Sequence, residues 1–370
     1  MKPNTSDIPD GLRDVDTPAL ICDLARLRTN ISGMAAAAAA GGKALRPHVK
    51  THKCPNIARM QIEAGACGIT VAKLGEAETF ADEGFEDILI ANTIVGAAKL
   101  QRLIALSGRV RIAAAVDSVD VLQGMIDAAR QANVRLEAMI EVDSGHGRSG
   151  IRHSTTAAAL AEHAIRSGSI TIRGILTHEG HAYRTAPARM AEVATRVSIR
   201  MAEIAQAVSS VTGACPVISV GSTPTAQAML GRPEPTEVRP GNYVFYDASQ
   251  CALGASPADC ALTVLATVIA RPSGTEALID AGVKALASDR HPLYGHGFVL
   301  NDPSAFLDWC SEEHGHLHLG LSTFRPGIGD RVRIVPAHAC TCANMHPQIM
   351  IADGDQIVDV WRLAARDRLT

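Results

Sequence analysis

Eight short apolar runs alternate with helical stretches in the first 250 residues, and this alternation constrains the fold more than any other feature. The runs lie at residues 44–49, 68–73, 87–92, 110–116, 135–142, 170–177, 217–221 and 238–246. Continuously apolar strands separated by helices are typical of a parallel sheet that is covered on both faces. Eight strands is the number that closes a TIM-type (β/α)8 barrel. An open doubly wound sheet is the alternative, but no GxGxxG follows the first run, which weakens its dinucleotide-binding form.

The helical stretches have apolar residues three or four positions apart. In residues 119–134, Val119, Leu122, Ile126 and Ala129 fall on one face, which predicts an amphipathic helix.

The remaining third of the chain has a different pattern. Its apolar runs, at residues 262–272, 276–282, 330–336 and 356–364, are rich in β-formers and are separated by Gly, Pro and Asp turns. This predicts a mainly antiparallel β domain. We therefore place a (β/α)8 barrel at residues 1–250 and the β domain at residues 251–370. A strand-like run at 19–24 precedes the barrel and is free to pair with the second domain.

The composition excludes several classes of partner. Lys and Arg number 35 and Asp and Glu number 38, so the chain lacks the basic excess of a nucleic-acid-binding protein. No apolar run reaches the roughly 18 residues that span a membrane. The polar, acidic residues 1–16 lack the apolar segment of a signal peptide, and the odd count of nine cysteines is typical of reduced thiols. These features predict a cytoplasmic protein.

The segment RPHVKTHK, residues 46–53, lies at the predicted C-terminal end of the first barrel strand. Side chains at such positions face the active sites of TIM barrels. His48, Lys50 and His52 alternate, so a strand that continued through them would point all three the same way. A lysine desolvated there beside other cationic groups is a candidate nucleophilic amine. A solvated Lys/His loop is the alternative.

The segment VISVGSTPT, residues 217–225, follows the seventh run. Gly221, Ser222 and Thr223 offer backbone N–H groups and hydroxyls at a strand end, where TIM barrels often bind phosphate. A phosphate site and an amine at the same barrel mouth suit pyridoxal phosphate, held as a Schiff base on Lys50.

Further candidates are histidines and cysteines. His178 and His181 follow the sixth run and suit acid–base roles, although either is equally explained as a loop histidine. His338 and Cys340 are two residues apart, so an extended segment would let both bind one Zn²⁺, with a third ligand or water. Cys342 and His346 are additional candidate ligands, and a reduced cysteine cluster near the surface is the alternative.

Together these segments resemble the fold-type III pyridoxal-phosphate enzymes, which have the alanine racemase fold, and among them the D-serine dehydratase and D-threonine aldolase family. The resemblance runs from residues 17–24 to residues 336–346, and RPHVKTHK is its most specific motif. It implies that Lys50 carries the cofactor. It also implies further contacts to the phosphate or near the cofactor ring, from Gly221, Ser222, Thr223, Tyr246, Arg148 and Tyr183.

The resemblance also implies a metal and a reaction. His338 and Cys340 match the metal pair, and His-x-Cys is the form that the dehydratases show with zinc, whereas Mn²⁺ or Mg²⁺ are the alternatives. The leading hypothesis is a lyase that acts on a D-β-hydroxy-α-amino acid by D-serine dehydratase-like elimination, which gives a 2-oxo acid and ammonia. Lys50 would remove the α-proton.

Other functions stay open. The first is retro-aldol cleavage of D-threonine or 3-hydroxy-D-aspartate to glycine and an aldehyde, with His178 or His181 as the base. An amino-acid racemase without a metal and a non-catalytic cofactor carrier are further alternatives, although carriers resemble the barrel alone. Sites in this fold commonly lie between two subunits, which implies a homodimer.

Overall fold

The structure is a computed structural model that describes residues 11–370. Residues 1–10 lie outside the described residues. They are part of the N-terminal segment, residues 1–16, that contributes to the prediction of a cytoplasmic protein. The strands found in the described range are β1 (Ala19–Asp23), β2 (Ala44–Leu45), β3 (Ile69–Val71), β4 (Asp87–Thr93), β5 (Arg111–Val116), β6 (Leu136–Val142), β7 (Ile170–Thr177), β8 (Val217–Val220), β9 (Glu237–Val238), β10 (Leu262–Ser273), β11 (Glu276–Ile279), β12 (Gly297–Val299), β13 (Asp302–Cys310), β14 (Gly315–His318), β15 (Arg331–Pro336), β16 (Gln348–Asp353) and β17 (Gln356–Arg362). The α-helices found there are α1 (Leu24–Ala40), α2 (Pro55–Glu63), α3 (Leu74–Asp82), α4 (Ala97–Ser107), α5 (Val119–Ala132), α6 (Ser154–Ser167), α7 (Met190–Thr212), α8 (Ala226–Leu230), α9 (Ala248–Ala252), α10 (Val283–Leu286) and α11 (Ala339–Met345).

Eight parallel strands form the first sheet, in the order β2-β9-β8-β7-β6-β5-β4-β3. A parallel bridge between His48 and Thr70 joins the chain just after β2 to β3, so the sheet closes on itself. The helices between the strands are amphipathic, as the spacing predicts. In α5, for example, Leu122, Ile126 and Ala129 are buried. Val119, the fourth residue of that face, is 53% exposed because it is the first helical residue, directly after the N-cap.

The first and last barrel strands are much shorter than predicted. The chain leaves β2 at Leu45 and β9 at Val238, and short 3₁₀ helices follow at Val49–Thr51 and Asn242–Val244. The first strand, predicted at residues 44–49, does not continue through Lys50 and His52, so the condition under which His48, Lys50 and His52 would point the same way is not met. Both runs contain a proline two residues after the observed strand end, and proline has no N–H to donate to a ladder. Those signals were present in the sequence at Pro47 and Pro240.

A buried ion-pair network ties the start of the barrel together. The Arg46 guanidinium lies 2.8 Å from Glu237 Oε2 and 2.8 Å from Asp87 Oδ1, and Arg46 is only 2% exposed. These contacts link the residue after β2 to the first residues of β9 and β4. The first residue of the RPHVKTHK motif is thus structural.

Nine strands form the second sheet, in the order β11-β14-β13-β12-β15-β10-β1-β16-β17. Strand β1 pairs antiparallel with β10 and parallel with β16, so the run at 19–24 belongs to this sheet. Ile21, Leu265 and Ala352 from these three strands pack in one buried cluster. The barrel and the mainly antiparallel β domain confirm the predicted fold class.

The chain divides into two compact units. The barrel unit comprises Met34–Lys50, Ile57–Gly241 and Arg368–Thr370. The β unit comprises Asn242–Asp367, Thr51–Asn56 and the described part of Met1–Gly33. Each unit is thus built from three separate segments of the chain. A single boundary at residue 250 would give only one segment for each unit. Within residues 11–370, no helix is long and apolar enough to cross a membrane.

Candidate active site

A polar cavity of about 220 Å³ opens within the barrel unit at the C-terminal ends of its strands. We call it the barrel-mouth cavity. Two larger clefts lie elsewhere on this unit, one before β3 and β4 and one between α4 and α5, but neither is lined by a lysine or a histidine. The residues that line the barrel-mouth cavity are His48, Lys50, Ala72, Ala91, Asn92, Glu141, Arg148, Ser149, Leu176, His178, Gly221 and Arg239.

Lys50 lies in this cavity beside His48, as the sequence predicts. Burial and the charges of Lys50 and Arg239 lower the pKa of His48 well below its usual value, so this imidazole is neutral at pH 7. His52 does not join them. It belongs to the β unit, where it is fully buried with its ring edge-on to Phe245.

His178 lines the cavity directly after β7 and bonds to the loop that follows β8. Its Nδ1 donates to the Gly221 carbonyl oxygen at 2.5 Å, which leaves Nε2 as the acceptor in the neutral ring. Burial, helped by the charge of Lys50, lowers the pKa of His178 to about 3. The residue is therefore a neutral hydrogen-bonding group and a weak base.

Gly221 packs against Arg239 with no room for a side chain. A Cβ at this position would lie 2.8 Å from Arg239 Cβ and 2.9 Å from the Arg239 carbonyl oxygen. The Gly221 N–H donates to Glu179 Oε1 at 3.2 Å, and its carbonyl accepts from His178. Both backbone groups are thus used within the protein, although we predicted the N–H as a phosphate donor.

The residues after Gly221 leave one polar atom without a protein partner. Ser222 Oγ and Thr225 Oγ1 lie 2.6 Å apart, whereas Thr223 Oγ1 is buried and has no hydrogen-bond partner among the described residues. A buried hydroxyl without a partner costs about 1–3 kcal/mol, so such an atom points to a missing acceptor or donor. A phosphate oxygen on this loop would accept its hydrogen bond.

Arg239 is a cavity residue that the sequence reasoning missed. It is 4% exposed, and its guanidinium donates to the Thr177 carbonyl and to Ser219 Oγ. Its Nε is buried with no hydrogen-bond partner in residues 11–370. The signal in the sequence is an Arg-Pro pair: Arg239 and Pro240 directly follow β9, as Arg46 and Pro47 directly follow β2.

Glu179 is a second residue that was missed. It is fully buried and accepts from the Gly221 N–H and from Thr225 Oγ1, and burial raises its pKa to about 7. It therefore supports the loop that follows β8. Nothing in the sequence distinguished it from an exposed loop carboxylate.

Glu141 and Arg148 form the acidic and basic sides of the cavity near β6. Glu141 Oε1 accepts from Ser149 Oγ at 2.8 Å and lies 3.6 Å from an Arg148 nitrogen. Arg148 is half exposed. The predicted residues Lys50, Arg148, His178 and Gly221 are thus brought together.

The other residues that we predicted for the cofactor or as bases lie outside the lining of the cavity. His181 and Tyr183 are in the short helix Gly180–Arg184, where His181 packs against Gly145. Tyr246 belongs to the β unit and packs against the cluster that contains Ala248 and Phe298.

His338 and Cys340 meet at the start of α11 in the β unit. His338 is the N-cap residue and Cys340 is helical, so they do not alternate on an extended segment as predicted. The charge of the Cys340 sulfur, together with the Asp289 carboxylate beside the His338 ring, raises the pKa of His338 to about 11. Cys340 Sγ also lies 3.2 Å from Oγ1 of Thr51, the residue that follows Lys50 in sequence.

The two additional candidate ligands point elsewhere. Cys342 Sγ and His346 Nε2 both bond to the Ala285 carbonyl oxygen, at 3.4 Å and 2.8 Å. No group of three His, Cys, Asp or Glu side chains in the described part of the chain has the geometry of a complete metal site. The His338–Cys340 pair offers two ligands of the types that zinc prefers, and water or substrate would complete the coordination.

Comparisons with known proteins agree with this architecture. Residues 22–249 match the family model of the alanine racemase N-terminal domain, and residues 261–352 match a serine dehydratase domain. The chain is 36% identical to D-threo-3-hydroxyaspartate dehydratase of Delftia sp. (strain HT23), over 95% of this chain and 98% of that protein. It is 33% identical to D-threonine aldolase of Arthrobacter sp, over 96% and 94%. The crystal structure of D-threonine aldolase from Filomicrobium marinum superimposes with a TM-score of 0.91 at 29% identity, covering 98% of this chain and 99% of that one.

A closed parallel barrel with a lysine at its mouth and an antiparallel β domain defines the alanine racemase-like class of proteins. The chain belongs to the fold-type III family of pyridoxal-phosphate enzymes, in the branch that carries the serine dehydratase domain, and it is a lyase of that family. The resemblance inferred from the motifs is confirmed.

Proposed function

We propose that this chain is a Zn²⁺- and pyridoxal-phosphate-dependent dehydratase that converts a D-β-hydroxy-α-amino acid into a 2-oxo acid and ammonia. The observation that carries the proposal is the His338–Cys340 pair, because its sulfur ligand favours zinc over the harder ions Mn²⁺ and Mg²⁺. The 36% identity to a dehydratase over nearly the whole of both chains supports the same reaction.

The residues of the barrel-mouth cavity fit the cofactor. Lys50 supplies the amine that attaches it, and Arg239 Nε is a buried polar atom with no hydrogen-bond partner in the described residues. The loop after β8 adds a second such atom, Thr223 Oγ1, next to the cavity-lining residue Gly221 in the chain. When bound, the cofactor withdraws electrons from the α-carbon of the substrate, so that a bond to that carbon breaks more easily.

The chain's own residues then determine which bond breaks. Lys50 is the amine that removes the α-proton. His48 beside it is neutral, so it adds no second positive charge next to Lys50 when the lysine takes up the proton. A divalent ion on His338 and Cys340 would act as a Lewis acid toward the β-hydroxyl.

The pKa values favour elimination over aldol cleavage. Cleavage between the α- and β-carbons needs a base for the β-hydroxyl proton, and we considered His178 and His181 for this role. His178 is a weak base because its pKa is about 3, and His181 lies outside the cavity lining. Retro-aldol cleavage remains the second candidate, because the chain is 33% identical to an aldolase over 96% of its length.

We also propose a cytoplasmic homodimer, as the family resemblance implies. None of the nine cysteines forms a disulfide in residues 11–370, which supports a reducing compartment. Light scattering of the purified enzyme tests the dimer, and a monomer at micromolar concentration would contradict it.

The test of the reaction uses D-serine, D-threonine and D-threo-3-hydroxyaspartate, with the L-enantiomers as controls. We expect a 2-oxo acid and ammonia in equal amounts from at least one D-enantiomer. Glycine with an aldehyde would show an aldolase instead. Formation of the opposite enantiomer alone would show a racemase, and zinc, manganese and magnesium contents of the active protein identify the metal.

A further inference from the structure

The carboxylate of Asp289 lies beside the Nδ1 atom of the His338 ring. Asp289 Oδ1 is 3.4 Å from His338 Nδ1, and both side chains are about one third exposed. Asp289 comes from the segment after α10, whereas His338 caps α11. Both belong to the β unit.

We infer that Asp289 is the positioning residue that prepares His338 to bind the divalent ion, an inference that rests on the proposed metal site. A carboxylate at Nδ1 accepts the Nδ1 proton, so the neutral ring presents the lone pair of Nε2 to an ion. With no carboxylate there, the neutral ring is free to place its proton on either nitrogen and to rotate.

The same carboxylate also holds the residue on the other side of Cys340. Thr341 Oγ1 donates to Asp289 Oδ2 at 2.6 Å and lies 3.2 Å from the His338 carbonyl oxygen. One aspartate therefore contacts the first ligand through one oxygen and the neighbour of the second ligand through the other. This arrangement keeps the imidazole and the first turn of α11 in a fixed relation.

The turn that carries Asp289 is itself held firmly. Ala287 has φ 65° and ψ 172°, a backbone region that residues other than glycine rarely adopt. Cys342 and His346 bond to the carbonyl of Ala285, two residues before Ala287. The strained turn persists because these contacts fix it, and it brings the carboxylate to His338. This gives Cys342 and His346 a structural role beside the metal pair.

The test measures metal affinity in the full chain loaded with pyridoxal phosphate. Zinc is titrated against a chromophoric chelator, and the absorption spectrum of the Co²⁺-substituted protein reports the ligand geometry. Asp289→Asn should weaken zinc binding by about 10- to 100-fold, the usual effect of losing a carboxylate partner of a ligating histidine. Thr341→Val, which removes the anchor of the carboxylate, should weaken it less, and both should alter the Co²⁺ spectrum.

Asp302→Asn is the matched control, because Asp302 also accepts from hydroxyls, those of Ser304 and Ser322, in the same unit. Its zinc affinity should equal that of the wild type. The thermal midpoints of the metal-free variants show whether each one folds. If Asp289→Asn does not fold, the zinc affinity of Thr341→Val tests the inference. Wild-type zinc affinity in a folded Asp289→Asn protein would overturn the inference and leave the proposed metal site intact. If the wild type binds no zinc while His338→Ala behaves identically, the metal site itself fails and this inference fails with it.

Discussion

His178 Nδ1 lies 2.5 Å from the carbonyl oxygen of Gly221, so one hydrogen bond joins the end of β7 to the loop after β8. This bond fixes the tautomer of a histidine that faces the cavity. It also occupies the carbonyl of a glycine that packs against Arg239. The protein's own contacts therefore hold this wall of the cavity.

The low pKa of His178 predicts a stability that depends on pH. The folded-state pKa of about 3 lies below the ordinary histidine value of 6.5, so the neutral form is favoured in the native state. Its contribution is complete above pH 6.5 and is lost as the pH falls toward 3. His178→Gln, which keeps a donor, should reduce the acid-side loss of unfolding free energy by about 1 kcal/mol per pH unit. Urea unfolding at pH 7, 6 and 5 measures this, and parallel curves for variant and wild type would refute it.

Lys50 is expected to be the residue that carries the cofactor. Borohydride reduction of the loaded enzyme, followed by peptide mapping, should find the pyridoxyl group on Lys50. Lys50→Ala should lose the visible absorbance and the activity by several orders of magnitude. Lys73→Ala is the control and should keep both. Recovery of the reduced group on Lys53 or Lys73 would show that the cavity assigned here is not the cofactor site.

Thr223→Val should have opposite effects on the protein with and without cofactor. The hydroxyl of Thr223 is buried without a partner in the described structure, so its removal should raise the stability of the cofactor-free protein by about 1 kcal/mol. It should also weaken pyridoxal-phosphate binding, because the loop loses a donor to the phosphate. Thr225→Val is the control: that hydroxyl is bonded to Ser222 and Glu179, so its loss should destabilise both forms. Unchanged cofactor affinity in Thr223→Val would place the phosphate elsewhere.

Chelation of the metal should abolish activity and leave the cofactor absorbance intact, because the proposed cofactor site on Lys50 and the loop after β8 contains neither His338 nor Cys340. Cys340→Ala should behave like chelation, since one remaining protein ligand binds an ion weakly. Cys340→Asp keeps a ligand but makes it harder, so it should prefer Mn²⁺ over Zn²⁺. Metal content and product analysis measure both effects. Full activity of the demetallated enzyme would exclude the proposed role of the ion.

Arg46→Met tests the ion-pair network at the start of the barrel. The substitution leaves Glu237 buried without its partner, which should cost about 3–5 kcal/mol of unfolding free energy. The double variant Arg46→Met with Glu237→Gln should recover part of that loss, because the uncompensated charge is gone. Equal stability of the single and double variants would show that Glu237 is not held by Arg46.

The sequence by itself determined the order of strands and helices and the position of Lys50 at the end of a barrel strand. Hydrophobic periodicity is a local property, so the eight barrel strands and the antiparallel runs of the β domain were predictable from residue spacing. Lys50 was predictable because it follows a barrel strand, and strand ends meet at the mouth whatever the loops do. The position of β1 in the second sheet was open, since pairing partners are not encoded in a single strand.

Only the tertiary structure decided which polar residues act together. Glu179 and Asp289 have no local sequence feature that indicates their roles, because burial and hydrogen-bond partners come from distant parts of the chain. His52 alternates with Lys50 in sequence, yet the chain turns into a 3₁₀ helix after Pro47 and buries it in the other unit. Charge, desolvation and donor geometry depend on neighbours in space, and for these residues the neighbours lie tens to hundreds of positions away.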